Sequence, residues 1–229
     1  MPCVAIWMPP VADTHQPSWT HHRVVHSRFP PTNLFDTVDL DDQRLLAELE
    51  GETNDRLMNW SEWLPADEFH SGPGWGAVMA AFCHFRPGRF NTVHFGAYYA
   101  ADSVECAISE WSYHQAIFWR DHRFTDLADA TVRAYTGKVT VPLVDVRSDV
   151  SLHQDDYQAS QERGELGYRA GEPGFLFTST RHPKGECIAL LKPSATTAVT
   201  QAGHYSVHWD GETFTQYARL SDYWDIPRR

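Results

Sequence analysis

The sequence predicts a mixed α/β (α+β) fold, a single compact domain in which helices flank mixed β-sheets. Residues 95–101 are short, aromatic and followed at once by helical periodicity, which is typical of a strand that runs into a helix. Residues 139–146, 175–180 and 187–192 have the composition of further strands, and residues 157–168 that of a helix. The chain has 229 residues, of which 42% are hydrophobic. That is enough for one sizeable core and does not require a second domain.

The helix after residue 101 carries the clearest local signals. Asp102 and Glu105 have the spacing of a capping box, so the helix is expected to begin at Asp102. Apolar side chains then recur at 3.6-residue spacing and are expected to face the core. This stripe contains Val104, Ala107, Ile108, Trp111 and Phe118.

Less regular segments lie before this helix. Residues 1–20 contain four prolines and are expected to form an irregular arm, which leaves residues 21–229 as the domain. A surface helix is predicted over residues 39–51. Residues 77–82 fit either a helix or a buried strand, and periodicity does not separate these alternatives.

Composition and charge narrow the function classes. The formal net charge is −11, whereas direct binding of nucleic acid normally needs a basic stripe that neutralises phosphates. No apolar run is long enough to span a membrane, and residues 1–7 lack the charged start of a signal peptide. Four separated cysteines without a Cys-x-x-Cys pair indicate reduced thiols and a cytoplasmic protein. A few arginines in a pocket can still bind a small anion.

Glu110 lies beside the apolar stripe of the central helix, on the side shared with Cys106, Tyr113 and His114. Two interpretations stay open. Glu110 is either a solvated helix glutamate, the commoner outcome, or a carboxylate that lines a cleft beside the tyrosine-bearing strand just upstream.

Arg89 and Ser179 have similar alternatives. Arg89 follows a Pro-Gly turn that also carries Arg86, and two arginines on one loop are able to clamp phosphate oxygens. An exposed, solubilising arginine is the alternative. Ser179 is predicted on a strand face with Phe175 and Phe177, so its hydroxyl requires either a backbone partner or a polar ligand in a pocket.

Several common motifs are absent from the sequence. There is no His-Glu-x-x-His and no cysteine pair at zinc spacing, so the thirteen histidines do not predict a metal site. No Gly-x-Gly-x-x-Gly follows a strand, which argues against a Rossmann dinucleotide site. Ser179 is not in Gly-x-Ser-x-Gly, which argues against a hydrolase nucleophile elbow.

The order of these residues along the chain resembles the RES domain, a family named for its Arg, Glu and Ser. The blocks that carry the likeness are Gly-Arg-Phe-Asn at 88–91, Gly-Ala-Tyr-Tyr-Ala-Ala-Asp-Ser at 96–103, Ala-Ile-Ser-Glu at 107–110 and Thr-Ser-Thr-Arg-His-Pro at 178–183. An opening block with Arg23 and Arg28 and an Asp-Asp-Tyr segment at 155–157 extend the match. The resemblance runs from about residue 23 to about residue 217.

The resemblance implies a fold related to ADP-ribosyltransferases and a role for each of four catalytic residues. Arg89 would hold the diphosphate of NAD, and Tyr99 would stack on nicotinamide or its ribose. Glu110 would stabilise positive charge on that ribose, and Ser179 would position the ribose or the acceptor. The other residues of the implied NAD site are Arg23 and Arg28, which would assist Arg89, together with Asn91 and Arg181.

The implied reaction is that of an NAD phosphorylase, in which phosphate is the co-substrate and no cofactor takes part. The acceptor stays open between phosphate, water in an NAD glycohydrolase, and a protein side chain in an ADP-ribosyltransferase. A non-catalytic nucleotide-binding or interaction module is the alternative from another class. Family members of this kind are toxins paired with a helical, DNA-binding, Xre-like antitoxin. A homodimer and a secreted effector also stay open, and the aromatic-rich residues 205–224 would serve an interface or close the core.

Overall fold

The computed structural model describes residues 13–27 and 60–220 of the protein. Its strands form one nine-stranded sheet with the order β1-β5-β6-β7-β3-β2-β4-β8-β9. All neighbouring strands are antiparallel except β5 and β6, which are parallel. The strands are β1 (Thr14–His15), β2 (Thr20–His26), β3 (Tyr98–Ala101), β4 (Ala128–Lys138), β5 (Leu143–Asp145), β6 (Gly174–Thr178), β7 (Glu186–Leu190), β8 (Thr200–Trp209) and β9 (Phe214–Leu220).

Three α-helices accompany the sheet within the described residues: α1 (Trp75–Cys83), α2 (Val104–Asp121) and α3 (Gln158–Ala170). The predicted mixed α/β fold with flanking helices is therefore confirmed, with the described strands joined in a single mixed sheet. Residues 77–82, which the sequence left open, belong to α1. None of the helices in this part of the chain has the length and apolarity needed to cross a membrane.

The start of α2 differs from the sequence prediction by one residue. Ser103 is the N-cap, and its Oγ accepts a hydrogen bond from the backbone N–H of Cys106 at 3.3 Å. The carboxylate of Asp102 instead accepts the backbone N–H of Glu186 at 3.0 Å. The predicted capping role of Asp102 is wrong because this carboxylate ties the beginning of α2 to β7.

The predicted strands are shorter in the structure: β3 begins at Tyr98 instead of residue 95, and β7 ends at Leu190 instead of residue 192. Residues 139–146 contain only β5, and Val139 forms an isolated bridge with Thr196. Pro142 separates the two pieces, since proline has no N–H to donate to a ladder. β6 ends at Thr178, so Ser179 follows the strand and does not share a strand face with Phe175 and Phe177.

The described part of the predicted N-terminal arm, residues 13–20, packs on the domain instead of remaining irregular. β1 pairs with β5, with Thr14 opposite Val144, and the side-chain amide of Gln16 donates to the carbonyl of Val139 at 2.9 Å. The indole N–H of Trp19 donates to Glu186 at 3.1 Å. Residues 1–12 and the helix predicted over 39–51 lie outside the described residues.

The loop that carries Arg89 is anchored in the core. The ring of Phe90 is fully buried and stacks on Phe175 at 4.8 Å between ring centroids. The side-chain amide of Gln161 in α3 donates to the carbonyl of Gly88 at 2.9 Å. Gly164 of α3 lies so close that an added Cβ would be 2.0 Å from the carbonyl oxygen of Phe90. The loop and α3 therefore form one packed unit beside β6.

Candidate active site

A cavity of about 410 Å³ opens between the two central strands and α2. β2 and β3 share a single residue pair, so the sheet offers little backbone pairing there. Four segments supply the polar lining of the cavity: Arg23 comes from β2, Arg86 and Arg89 from the anchored loop, Tyr99 from β3 and Glu110 from α2.

Glu110 and Ser179 form a close pair at this cavity. The hydroxyl of Ser179 donates to Oε1 of Glu110 at 2.6 Å, and it accepts the backbone N–H groups of Arg181 at 3.2 Å and His182 at 2.9 Å. Its only proton is therefore committed to the carboxylate. Oε2 of Glu110 bonds to none of the described residues, which leaves this oxygen for a ligand in the cavity.

Arg89 is deeply placed, with 6% of its surface exposed. Its Nη1 donates to the carbonyls of Leu152 and Gln154, both at 2.9 Å, and its Nη2 donates to Oγ1 of Thr180 at 3.1 Å. The guanidinium carbon lies 4.6 Å from the ring centroid of Tyr157. A guanidinium has five N–H donors, so the described partners leave Nε–H and one Nη2–H for an anion.

Tyr99 and Asn91 shape the Arg89 loop. The hydroxyl of Tyr99 donates to Oδ1 of Asn91 at 2.9 Å and accepts the backbone N–H of Phe90 at 2.8 Å. Burial raises the pKa of this hydroxyl, which keeps it protonated, while the ring lines the cavity. Asn91 is 1% exposed, and its amide donates to the carbonyls of Arg86 and Phe95. Asn91 thus builds the loop and does not line the cavity.

Arg23 is a partly buried cation with unused hydrogen-bonding capacity. Its Nη1 donates to the carbonyl of Tyr99 at 2.9 Å, and its guanidinium carbon lies 4.6 Å from the ring centroid of Tyr98. Its Nε is buried without a partner, and burial lowers the pKa of Arg23. A buried, unpaired donor on a charged group is costly, and an anion in the cavity that Arg23 lines would offset the charge of the guanidinium.

The charge of the cavity is opposite to that of the whole protein. The formal net charge of the chain is −11, but among the described residues the cavity wall carries Arg23, Arg86 and Arg89 against the single carboxylate of Glu110. Arginine binds phosphate oxygens through paired, charge-assisted hydrogen bonds. The site is therefore suited to a ligand that has an anionic part, which the arginines would bind, and another part that interacts favourably with a carboxylate.

A family comparison agrees with this arrangement. The model of the RES domain matches residues 61–210, more than half of the 229 residues. The chain belongs to the RES domain family. No curated protein matches the sequence.

One solved structure similar to this RES domain is a chain of the M. tuberculosis MbcT–MbcA toxin–antitoxin complex. The two chains are 15% identical with a TM-score of 0.44, over 91% of this chain and 87% of that chain. The similarity is too distant to assign roles to residues. The strand β2, which supplies Arg23, precedes the matched segment but lies at the centre of the same sheet.

Arg181 of the RES domain does not line the cavity at Glu110. Its guanidinium pairs with Asp155 and lies 3.3 Å from the ring centroid of Tyr113. It borders a second cavity, of about 610 Å³, that α2 lines with Ser112 and Tyr113. Only the backbone N–H of Arg181 reaches the pair of Glu110 and Ser179. Arg28 lies outside the described residues.

The cavity wall also contains side chains that are not among the predicted site residues. Trp111 and His114 of α2 line it with Glu110, and Arg86 lines it from the loop. Helix spacing was the available signal, because residues one and four positions after Glu110 lie on or next to its face. Trp111 was assigned to the core stripe and His114 received no role.

Two thiols lie behind Glu110. Cys106 and Cys187 are buried, and their sulfur atoms are 3.8 Å apart. The Sγ of Cys187 also lies 3.9 Å from Oε1 of Glu110. These thiols and Cys83 are free. Within residues 13–27 and 60–220, no three His, Cys, Asp or Glu side chains are grouped so as to hold a metal ion.

Proposed function

We propose that this RES domain cleaves the nicotinamide–ribose bond of NAD. The observation that carries the proposal is a carboxylate fixed through one oxygen, beside three arginines, in a cavity large enough for part of a dinucleotide. NAD combines the two charges that this wall would recognise: an anionic diphosphate and a cationic nicotinamide ring joined to ribose.

The leaving group of the proposed reaction does not need a proton from the protein. Nicotinamide departs as a neutral molecule when the glycosidic bond breaks, so no strong acid is needed. The positive charge passes to the ribose, and a fixed negative group next to it lowers the barrier. Oε2 of Glu110 is the atom proposed for this role.

The arginines would hold the diphosphate. Nε–H and the remaining Nη2–H of Arg89 are available to phosphate oxygens, and Arg23 would add a second positive charge from the cavity wall. The ring of Tyr99 would contact nicotinamide or its ribose, since its hydroxyl is already used within the loop.

Ser179 is proposed as a positioning residue for Glu110. The resemblance had suggested contact with the ribose or the acceptor, but the serine proton is donated to the carboxylate and its oxygen accepts two backbone N–H groups. A hydroxyl fixed in this way sets the direction of Oε2.

Phosphate is the proposed acceptor, which makes the protein an NAD phosphorylase without a cofactor. The family also supports a biological role as the toxin of a toxin–antitoxin pair that consumes cytoplasmic NAD, with a protein antitoxin as partner. A solved relative in complex with an antitoxin is consistent with such a pair.

The test is to incubate the purified chain with NAD, with and without phosphate, and to measure released nicotinamide. The expected result is release that phosphate accelerates, together with ADP-ribose-1″-phosphate. Glu110→Gln should lower the rate at least 100-fold, because loss of fixed transition-state charge typically costs about 10²–10³ in kcat. Glu162→Gln, at an exposed position on α3, is the control. Absence of nicotinamide from folded wild-type protein in both conditions would refute the proposal.

A further inference from the structure

His114 lies on the cavity wall one helical turn after Glu110. Side chains four residues apart on a helix have Cβ atoms about 5–6 Å apart, which leaves room for a small molecule between the carboxylate and the imidazole. His114 is exposed to solvent. The ring makes no hydrogen bond to any residue that the structure describes, so its nitrogens are available to a molecule in the cavity.

The surroundings of His114 come from four segments. Its ring centroid is 5.3 Å from that of Tyr113 on α2 and 6.3 Å from that of Tyr157, which precedes α3. Tyr157 in turn lies against Arg89. The charged groups that act on the imidazole are Glu110, Arg181 and Arg89.

These groups favour a neutral imidazole at physiological pH. Burial lowers the pKa of His114, and Arg181 and Arg89 lower it further, against the opposing effect of Glu110. The pKa therefore lies below the usual 6.5. A neutral imidazole carries one nitrogen with a free lone pair, which is the form that accepts a proton.

We propose that His114 is a catalytic residue that takes the proton from the acceptor as the acceptor oxygen attacks C1″ of the ribose. This inference rests on the proposed cleavage of NAD. The bond between C1″ and the nicotinamide nitrogen breaks, and its electron pair stays on that nitrogen. With water as the acceptor, a lone pair of its oxygen forms the new C1″–O bond. The proton of that oxygen moves to the imidazole, from which solvent removes it.

The acceptors differ in their need for this base. Water carries a proton on the attacking oxygen, whereas phosphate, as monoanion or dianion, presents an unprotonated oxygen. His114 should therefore matter most for hydrolysis and less for phosphorolysis. The effect of replacing His114 on nicotinamide release should therefore differ between the two acceptors, water and phosphate.

The experiment compares wild type, His114→Gln and Glu110→Gln in nicotinamide release between pH 5 and pH 9, with water alone and with phosphate. His114→Gln should lower kcat for hydrolysis about 100-fold or more, the lower bound for a lost general base, with little change in KM for NAD. The wild-type rate should fall along an acidic limb with its midpoint below the usual imidazole pKa of 6.5, where the ring becomes protonated, and the variant should lack this acidic limb. Added imidazole should restore part of the activity of His114→Ala.

The control is His94→Gln, which replaces an exposed histidine away from the cavity; melting temperatures of all variants report folding. A His114→Gln protein with wild-type kcat and the wild-type acidic limb would overturn the role of His114 alone. A wild-type protein that releases no nicotinamide would overturn the proposed function, and with it this inference.

Discussion

The hydrogen bonds of the Ser179 hydroxyl determine which oxygen of Glu110 remains available to a ligand. The hydroxyl proton goes to Oε1 of Glu110, and the lone pairs of the serine oxygen receive two backbone N–H groups. Nothing on this hydroxyl remains for a ribose, while the second carboxylate oxygen stays free. Glu110 and Ser179 therefore act as one unit, in which the serine fixes the direction of the charge.

Replacing Ser179 by alanine should lower kcat more than it changes substrate binding. A hydrogen bond to a charged group contributes about 1.5–3 kcal/mol, and about 1.4 kcal/mol corresponds to a tenfold change in rate. We expect kcat for nicotinamide release to fall roughly 10- to 100-fold, because Glu110 is no longer held toward the ribose. KM for NAD should change little, since the arginines are untouched. Steady-state kinetics measure both.

Ser109→Ala is the matched control for this substitution. Ser109 precedes Glu110 on α2 and donates to the carbonyl of Glu105, so its loss should leave kcat near the wild-type value. If Ser179→Ala retained full kcat, the hydroxyl would have no part in orienting the carboxylate.

At the residue scale, the sequence identified the side chains that line the cavity better than it identified the residues to which they bond. Glu110, Arg89 and Tyr99 all line the cavity, but the residues alone left Glu110 between a solvated and a cleft-lining position. Its contact with Ser179 spans 69 residues, and local periodicity carries no information at that separation. Asn91 has the residue type of a ligand-binding group, yet its amide is consumed by the loop itself.

At the element scale, α3 and the Arg89 loop depend on a close backbone approach. Gly164→Ala would place a Cβ 2.0 Å from the carbonyl oxygen of Phe90, and neither backbone can yield without moving the other. Forced overpacking typically costs about 1–3 kcal/mol. We expect a loss of that size in the free energy of unfolding, measured by urea denaturation, and a rise in KM for NAD as Arg89 shifts.

Glu162→Ala tests whether a substitution on α3 is disruptive in itself. Glu162 is exposed on the same helix, and alanine favours helix formation, so stability and KM should stay close to wild type. If Gly164→Ala were as stable as this control, the packing of α3 on the Arg89 loop would not depend on the close backbone approach at Gly164.

The elements that the sequence missed are mainly the long strands β4, β8 and β9. In β4 the buried positions Ala130, Val132 and Ala134 alternate with partly exposed residues. Alanine has low β-propensity, so the alternation gave a weak strand pattern. β8 and β9 are mostly exposed or partly exposed, and pairing with neighbours, which a single sequence does not show, holds them in the sheet.

At the scale of the whole molecule, an acidic protein surrounds a cavity with three arginines. Those arginines repel one another when the cavity holds no anion, so an anionic ligand should stabilise the fold. ADP-ribose, the non-nicotinamide part of NAD, should raise the free energy of unfolding by about 2.7 kcal/mol at 100 times its Kd. Thermal unfolding at increasing ADP-ribose concentration measures the effect.

Thermal unfolding of variants in the presence of ADP-ribose distinguishes residues that bind the ligand from residues that act only in catalysis. Arg23→Met should abolish most of the ligand-induced shift, and Glu110→Gln should keep it, because Glu110 is proposed to act on charge that ADP-ribose lacks. Arg169→Met, which removes an exposed arginine of α3, is the control. An equal shift for Arg23→Met and wild type would contradict the diphosphate role of Arg23.

The central position of β2 bears on how the protein is synthesised. β2 leaves the ribosome more than a hundred residues before its partner β4, since Thr20 pairs with Lys138. Ser179 and Cys187, which contact Glu110, are translated later still. Pairings of this separation form slowly and late. A growing chain therefore holds Arg23, Arg89 and Glu110 in an unfinished site, and the proposed cleavage of NAD should begin only after these later segments have been translated and paired.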